Sequence, residues 1–280
     1  MNLKATIRRA LPNPLLWRLT AARVYWAAGN DTSGNFGDQL TPALLERLYG
    51  QKSKFSGMQA ADLVGVGSLF EGIEEHCQAR TMIWGSGFIQ EGPPYDGAKL
   101  DVRAVRGALT AARLGSMAPA GLALGDPGLL TSAAYPEFSH LPRRGIAVIP
   151  HFMDKQDPVV ERAAAHPDVR IVEVLAPLPN VLREIASAEI VLSSSLHGLV
   201  VADSYGVPNQ WTPIGDGVTG SGYKFRDYYS AFGTEATPMT LDEALANVES
   251  LRDSWRPQPN IEQVKRSLLR SFPRKPIASL

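Results

Sequence analysis

The sequence has a single cysteine, Cys77, so neither an internal disulfide framework nor a cysteine-rich metal site can form. Its five histidines contain no HxxxH or HExxH spacing, which excludes the common helical zinc sites, and no metal is expected. No Gly-Lys-Ser/Thr phosphate loop occurs, and no Gly-x-Gly-x-x-Gly directly follows a strand, so GTP-type hydrolysis and dinucleotide binding lack support. A Gly-x-Ser-x-Gly nucleophile elbow is also missing. No apolar run approaches the roughly 18 residues of a membrane span, and the first residues lack the apolar core and cleavage site of a secretory signal. A cytoplasmic protein is expected.

Net charge is absent too, with 28 bases against 28 acids. The balance is uneven along the chain: residues 1–30 carry five bases and no acid, and residues 252–280 carry seven bases against Asp253 and Glu262. A middle of about −10 disfavours nucleic acid as a partner. The basic ends are interleaved with Leu, Trp and Phe and fit peripheral contact with an anionic membrane. They equally fit two solvated helices packing their apolar faces on the body.

What is present is alternation. DLVGVGS (62–68), TMIWGSG (81–87) and DVRAVRG (101–107) read as buried strands, and TPALLERLYG (41–50) and ALTAARLG (108–115) as helices. Thr41 and Pro42 are placed to cap and open the first of these helices. A second series runs through GIAVIPH (145–151), a helix near 157–166, VRIVEV (169–174), a helix in PNVLREIASA (179–188), EIVLSSS (189–195), the helix HGLVVADSYG and a short strand near PNQWTP. The order predicts an α/β fold of two doubly wound, Rossmann-like domains, at 1–140 and 141–240, facing a cleft. TSAAYPEFSHLPRR (131–144) is the linker candidate, and residues 241–280 form a helical segment expected to return to the first domain.

Doubly wound sheets bind ligands beyond the carboxyl ends of their strands, and every unusual short motif of the chain falls there. In SSSLHG, Ser193, Ser194 and Ser195 precede a helix start beside His197, as in an anion cradle with a titratable group; the plain alternative is a serine cap and a buried histidine. Arg103 and Arg106 alternate near the end of a strand, and Arg106, next to Gly107, is the better placed to hold a phosphate or carboxylate, unless it makes a structural salt bridge. SGNFGDQLTP (33–42) offers Asn35, Gly37 and Asp38, with Asp38 either a base or a helix cap. GDPG (125–128) reads most simply as a turn, which can also aim Asp126 at the cleft, and IPHF brings His151 to the end of the first strand of the second series. GYKFRDYY (222–229) supplies Lys224, Arg226, Tyr228 and Tyr229 as a basic aromatic loop or a solvated lid.

Taken in order, NFGDQL, WGSGF, DVRAVRG, GDPGLL, IPHF, SSSLHG and YKFRDYY resemble the polysaccharide pyruvyl transferase family, in particular its bacterial exopolysaccharide ketal pyruvyltransferases of the xanthan and succinoglycan type. The resemblance spans roughly residues 31–232. It implies a GT-B-like fold, phosphoenolpyruvate as donor with no further cofactor, a lipid-linked oligosaccharide as acceptor, and installation of pyruvate as a cyclic ketal with release of phosphate. By motif it implies His197 as general acid and Arg106 as donor grip, with Asn35, Asp38 and the WGSGF turn (Gly85, Ser86, Gly87) lining the cleft. On this chemistry Lys224 or Arg226 supplies a second cation, Ser194 and Ser195 donate to the donor anion, and Asp38 takes the acceptor proton. Gly37, Asp126 and His151 complete the expected cleft. Two other classes share these features: a nucleotide-sugar glycosyltransferase, for which Glu173 is the candidate ribose-binding acid, and a non-catalytic sugar-binding assembly protein.

Overall fold

The computed structural model describes residues 20–27, 34–77, 80–215 and 220–277. The basic stretch 1–19, one of the two ends offered to a membrane, lies outside these described residues.

Ala22–Tyr25 (β1), Phe36–Tyr49 (α1), Ser53–Phe55 (β2), Leu63–Val64 (β3), Phe70–His76 (α2), Met82–Ser86 (β4), Asp101–Val105 (β5), Ala108–Leu114 (α3) and Ala123–Leu124 (β6) form the first unit of the chain. Its six strands are parallel, in the order β2-β1-β3-β4-β5-β6. After Thr131–Ala134 (α4) come Ile146–Ile149 (β7), Pro158–Ala164 (α5), Val169–Ile171 (β8), Leu178–Ala186 (α6), Ile190–Ser193 (β9), Leu196–Ser204 (α7) and Asn209–Trp211 (β10). These four strands are parallel too, ordered β10-β9-β7-β8. Tyr223–Ser230 (α8), Leu241–Ala246 (α9), Val248–Ser254 (α10) and Ile261–Ser271 (α11) follow.

The α/β class expected from the alternation is thus the class observed. Strands β4, β7 and β9 are buried along their whole length, as parallel strands covered on both faces must be. In both sheets the first strand lies inside and the chain reverses direction across it, which creates a switch point between β1 and β3 and another between β7 and β9. The largest cluster of buried side chains runs through both sheets, from Val24, Leu44 and Trp84 to Ile149, Val191 and Leu199.

Several local expectations are corrected. Helix α1 begins five residues before Thr41: Asn35 is its cap, with its side chain accepting from Gly37 N and Asp38 N while Asp38 reaches back to Asn35 N. This reciprocal capping box satisfies the helix start, so Thr41 is free to accept from Val66 N at 2.8 Å, and Pro42 sits inside the helix. The 131–144 stretch joins the sheets, but it is no bare linker, since α4 forms there and Tyr135 and Phe138 are buried. Residues 222–229 form no solvated lid; they enter α8, with Tyr223, Phe225, Asp227, Tyr228 and Tyr229 buried. Strand β1 occupies part of the basic segment 1–30, for which a solvated helix is one of the two expectations. Helix α11 packs on the first sheet, where Trp84 Nε1 donates to Leu268 O and Tyr49 OH to Leu269 O, and Lys265 Nζ reaches Ser204 O on α7. No helix among the described residues is long and apolar enough to cross a membrane.

Candidate active site

A cavity of about 630 Å³ lies where the two switch points meet, a size within the range of small-molecule sites. From the first sheet it is lined by Ala27, by Gly34, Asn35, Phe36 and Asp38 at the start of α1, and by Gly67, Ser68 and Leu69 after β3. The second sheet contributes His151 and Phe152 after β7, Val174 and Leu175 after β8, and Ser195, Leu196 and His197 after β9. Ile89 and Lys224 complete the wall.

Three helix starts that face this region differ in how their amide groups are used. At α1, Asn35 takes two amides and Phe36 N donates to Val174 O at 3.0 Å. At α3, the turn after VRG, Asp227 accepts from Thr110 N at 2.8 Å and from Thr110 Oγ1 at 2.7 Å, and Ser230 Oγ accepts from Ala108 N. The anion at that helix start is therefore the chain's own carboxylate. At α7, Ser195 holds the cap position without capping through its side chain, so this positive helix end still faces the cavity.

The three serines divide their work. Ser193 Oγ is bonded to Ile149 O and Ser195 O and accepts from Ser195 N. Ser194 Oγ donates to Asp154 Oδ2 at 2.8 Å and accepts from His151 N at 2.8 Å, which ties the turn after β9 to that after β7. Only Ser195 of the three lines the cavity.

Arg106 does not line it. Its side chain is fully buried, with Nε on Asp227 Oδ2 at 2.9 Å, Nη1 on Ser68 Oγ at 2.5 Å and Nη2 on the Phe88 carbonyl. The structural salt bridge is what forms, and Arg106 reaches the cavity only through Ser68. Since that hydroxyl accepts from the guanidinium, its own proton remains available to a ligand. The WGSGF turn also stands back from the cavity: a side chain on Gly85 would strike Pro127, one on Gly87 would strike Arg106 and Asp227, and Ser86 Oγ donates to Gly67 O at 2.9 Å. Arg226 turns outward to Glu91 and Ser221 O, and Arg103 pairs with Asp101 on the surface. Glu173 binds Lys155 at 2.5 Å and accepts from Leu175 N, outside the cavity wall.

Lys224 is the only cation among the described residues of the wall, and it is 8% exposed with no carboxylate or hydrogen-bond partner there; its Nζ lies 5.4 Å from the Phe225 ring centroid. Burial, reinforced by Arg106, pulls its pKa down to about 8 against the opposing pull of Asp154 and Asp38. Burial pushes Asp38 up to about 7, although its Asn35 bonds and Lys224 oppose the rise. Burial and then Lys224 bring His151 down to about 4, and burial, Lys224, Arg106 and His151 bring His197 down to about 3. The imidazole is held on one side by Gly37, where a Cβ would lie 2.0 Å from Nδ1, and faces Asp126 on the other. Asp126 is fully buried behind it.

The structure thus assembles Asn35, Asp38, His151, Ser195, His197 and Lys224 around one cavity, with Gly37 and Asp126 packed behind His197. Ser68, Asp227, Phe152 and Leu175 are not singled out in the sequence reading. Asp227 and Phe152 stand inside noted motifs and Ser68 closes DLVGVGS, whereas Leu175 sits in a loop with no periodic pattern.

A family model described as polysaccharide pyruvyl transferase matches residues 2–209, a span that ends before Lys224 and Asp227. The chain is 28% identical over 223 residues to the succinoglycan biosynthesis protein ExoV of Rhizobium meliloti (strain 1021), a match covering 78% of this chain and 66% of that protein, just under two thirds. It is 26% identical over 208 residues to the uncharacterized protein L143 of Acanthamoeba polyphaga mimivirus, 72% of each chain. With the family model spanning well over half of its residues, the chain belongs to the polysaccharide pyruvyl transferase family.

Proposed function

We propose that the protein transfers pyruvate from phosphoenolpyruvate to a sugar of an exopolysaccharide precursor as a cyclic ketal, releasing phosphate, in a GT-B-like arrangement of its two sheets. The observation that carries this reading is Lys224, a largely buried residue whose ammonium makes no ion pair or hydrogen bond among the described residues and is left to the cavity it shares with His197 and the open start of α7. A cation placed in this way calls for an anion. A three-carbon donor with a carboxylate and a phosphate supplies two anionic groups, one for Lys224 and one for the Ser195, Ser68 and α7 amide donors.

The steps follow from that placement. His197, protonated once the donor anion is beside it, gives its proton to the methylene carbon and leaves an oxocarbenium-like centre at the neighbouring carbon. An acceptor hydroxyl attacks that centre and its proton passes to Asp38, whose raised pKa of about 7 suits a base working near neutrality. The carbon–phosphate oxygen bond then breaks, the phosphate leaving with the proton from Asp38, and the second hydroxyl closes the ketal as its proton returns to His197. Donor and diol together become ketal and inorganic phosphate, with no water consumed. Lys224 offsets negative charge throughout. The exposed bases Arg266, Arg270 and Lys275 on and after α11 are the surface this reading offers to a membrane that carries a lipid-linked acceptor.

The test is phosphate release from phosphoenolpyruvate with and without an extract of lipid-linked oligosaccharide. Release that depends on the acceptor is expected; no release with any acceptor, or turnover of a nucleotide sugar instead, sinks the reading. Lys224→Met is expected to weaken phosphoenolpyruvate binding by at least about 2 kcal/mol, the usual cost of deleting one side of a buried charge pair. Calorimetry reads this directly. The same titration across pH has a definite sign. The bound anion favours charged Lys224, so affinity is full below the free-protein pKa of about 8 and falls as pH rises through it. A flat profile from pH 7 to 10 would remove Lys224 from the donor site.

A further inference from the structure

Two polar atoms behind the cavity have no hydrogen-bond partner although both are sealed from solvent: His197 Nε2 and Asp126 Oδ2. They face each other at 3.7 Å. The carboxylate is fixed in plane because Asp126 caps the short helical turn Pro127–Leu130 and its Oδ1 accepts from Gly128 N at 2.8 Å, which leaves Oδ2 aimed at the ring. That turn is pressed against α7, since a side chain on Gly128 would lie 2.9 Å from Val200, and Ser204 Oγ donates to Leu129 O at 2.7 Å. On the opposite side Gly37 packs against the ring near Nδ1, and only its lack of a side chain leaves that nitrogen room. With Nε2 sealed, Nδ1 is the ring nitrogen left to the cavity.

We propose that Asp126 is a positioning residue that forms a dyad with His197, accepting the Nε2 proton so that Nδ1 is the nitrogen that takes up and delivers the catalytic proton, a role that rests on the pyruvyl-transfer reading. The gap of 3.7 Å is longer than a hydrogen bond, and catalytic contacts of this kind tighten when ligand arrives. A neutral ring with its proton on Nε2 presents a lone pair at Nδ1. Once Nδ1 is protonated, the imidazolium lies against an anion that has no other charged hydrogen-bond partner. Lys224 from α8, Arg106 from the turn after β5 and His151 from the β7 turn all disfavour that cation, and the carboxylate facing Nε2 at 3.7 Å is placed to oppose them. Facing Asp126 in turn are Arg106, which favours its anion, Asp227, which opposes it, and the buried Tyr228 hydroxyl.

The experiment is nitrogen-15 NMR of the histidine rings, with His197 assigned by its loss in His197→Gln, in the wild type and in Asp126→Asn without substrate. At pH 7.5 the wild-type ring is expected to carry its proton on Nε2. Asp126→Asn keeps Oδ1 for Gly128 but turns an amide N–H toward Nε2, so the proton is expected to move to Nδ1. The same tautomer in both proteins overturns the dyad, and if the variant fails to fold, a wild-type ring protonated on Nδ1 overturns it. Kinetics with phosphoenolpyruvate and acceptor supply the second readout. Turnover of Asp126→Asn is expected to fall at least about tenfold, and the pH at which activity is lost on the alkaline side to move down by about one unit, because an imidazolium without its carboxylate gives up its proton sooner. An unshifted profile counts against the role. The expected tautomer change with no phosphate release in either protein would leave the dyad standing and remove the reaction.

Discussion

His197→Gln is expected to lower turnover at least about 10²-fold while leaving phosphoenolpyruvate affinity within about tenfold of wild type, or about 1.4 kcal/mol. The two parts have different origins. In the empty site the histidine is neutral, held down to about 3 by burial and then by Lys224 and Arg106, so it lends no charge to donor capture. Glutamine can replace its polar contacts but carries no transferable proton. Raising the imidazole from about 3 to about 7 takes about 5.5 kcal/mol at 1.36 kcal/mol per unit. One unit charge at about 4 Å, with an effective dielectric of about 20, supplies about 4 kcal/mol. The two figures are of the same order, so the charges of a phosphorylated carboxylic acid beside the ring suffice to protonate it. The acid is armed by its substrate, and an uncharged analogue should leave it neutral. Retained turnover in His197→Gln would remove the residue from the mechanism, and loss of donor binding with unchanged turnover would make it a binding group only.

Much of the fold was legible because buried parallel strands read as continuous apolar runs. TMIWGS and IAVI announce β4 and β7 in this way, and the turn after each strand is where the cavity residues were sought. Strands β2 and β6 were not legible: Ser53–Phe55 is a three-residue edge with two exposed positions, and Ala123–Leu124 has two residues, too few for any period. Strand β1 has Ala22 and Val24 alternating inward against Arg23 and Tyr25, but four residues inside a basic flank are too few to set a period apart. Among site residues, His197, Asp38 and Lys224 carried their own chemical signal. The partition of the serines did not, since it depends on which hydroxyl meets Asp154 across the switch point. Nor could one sequence show that Arg106 has an internal anion, 121 positions away, at the helix start where a ligand was expected.

That internal anion carries the second large effect. Asp227→Ala is expected to destabilise the protein by about 3–5 kcal/mol, the cost of leaving one member of a buried ion pair uncompensated, and to lower the melting temperature by about 10 °C. Arg106 and Asp227 are both fully buried, and the carboxylate also holds Thr110 N and Thr110 Oγ1 at the start of α3. Its deletion strands the guanidinium with Ser68 Oγ and the Phe88 carbonyl, neither of which carries charge. The packing leaves no room for a larger adjustment. A side chain on Gly107 would lie 1.6 Å from Asp227 O, so α8 is already in backbone contact with the VRG turn. Arg106→Met should cost less than Asp227→Ala, because the abandoned carboxylate keeps its two Thr110 donors. Combining Arg106→Met with Asp227→Asn should recover part of the single-variant losses, as expected when an ion pair is replaced as a unit. Thermal denaturation of the wild type, Arg106→Met, Asp227→Asn and the double variant reads the cycle. The same Arg106→Met protein separates the two roles open to this arginine. If it melts at the wild-type temperature yet loses donor affinity, the guanidinium leaves Asp227 to grip the substrate. If stability falls and affinity changes only as much as Ser68 can explain, its work is to fix α3 and α8, and with them Lys224, at the edge of the cavity.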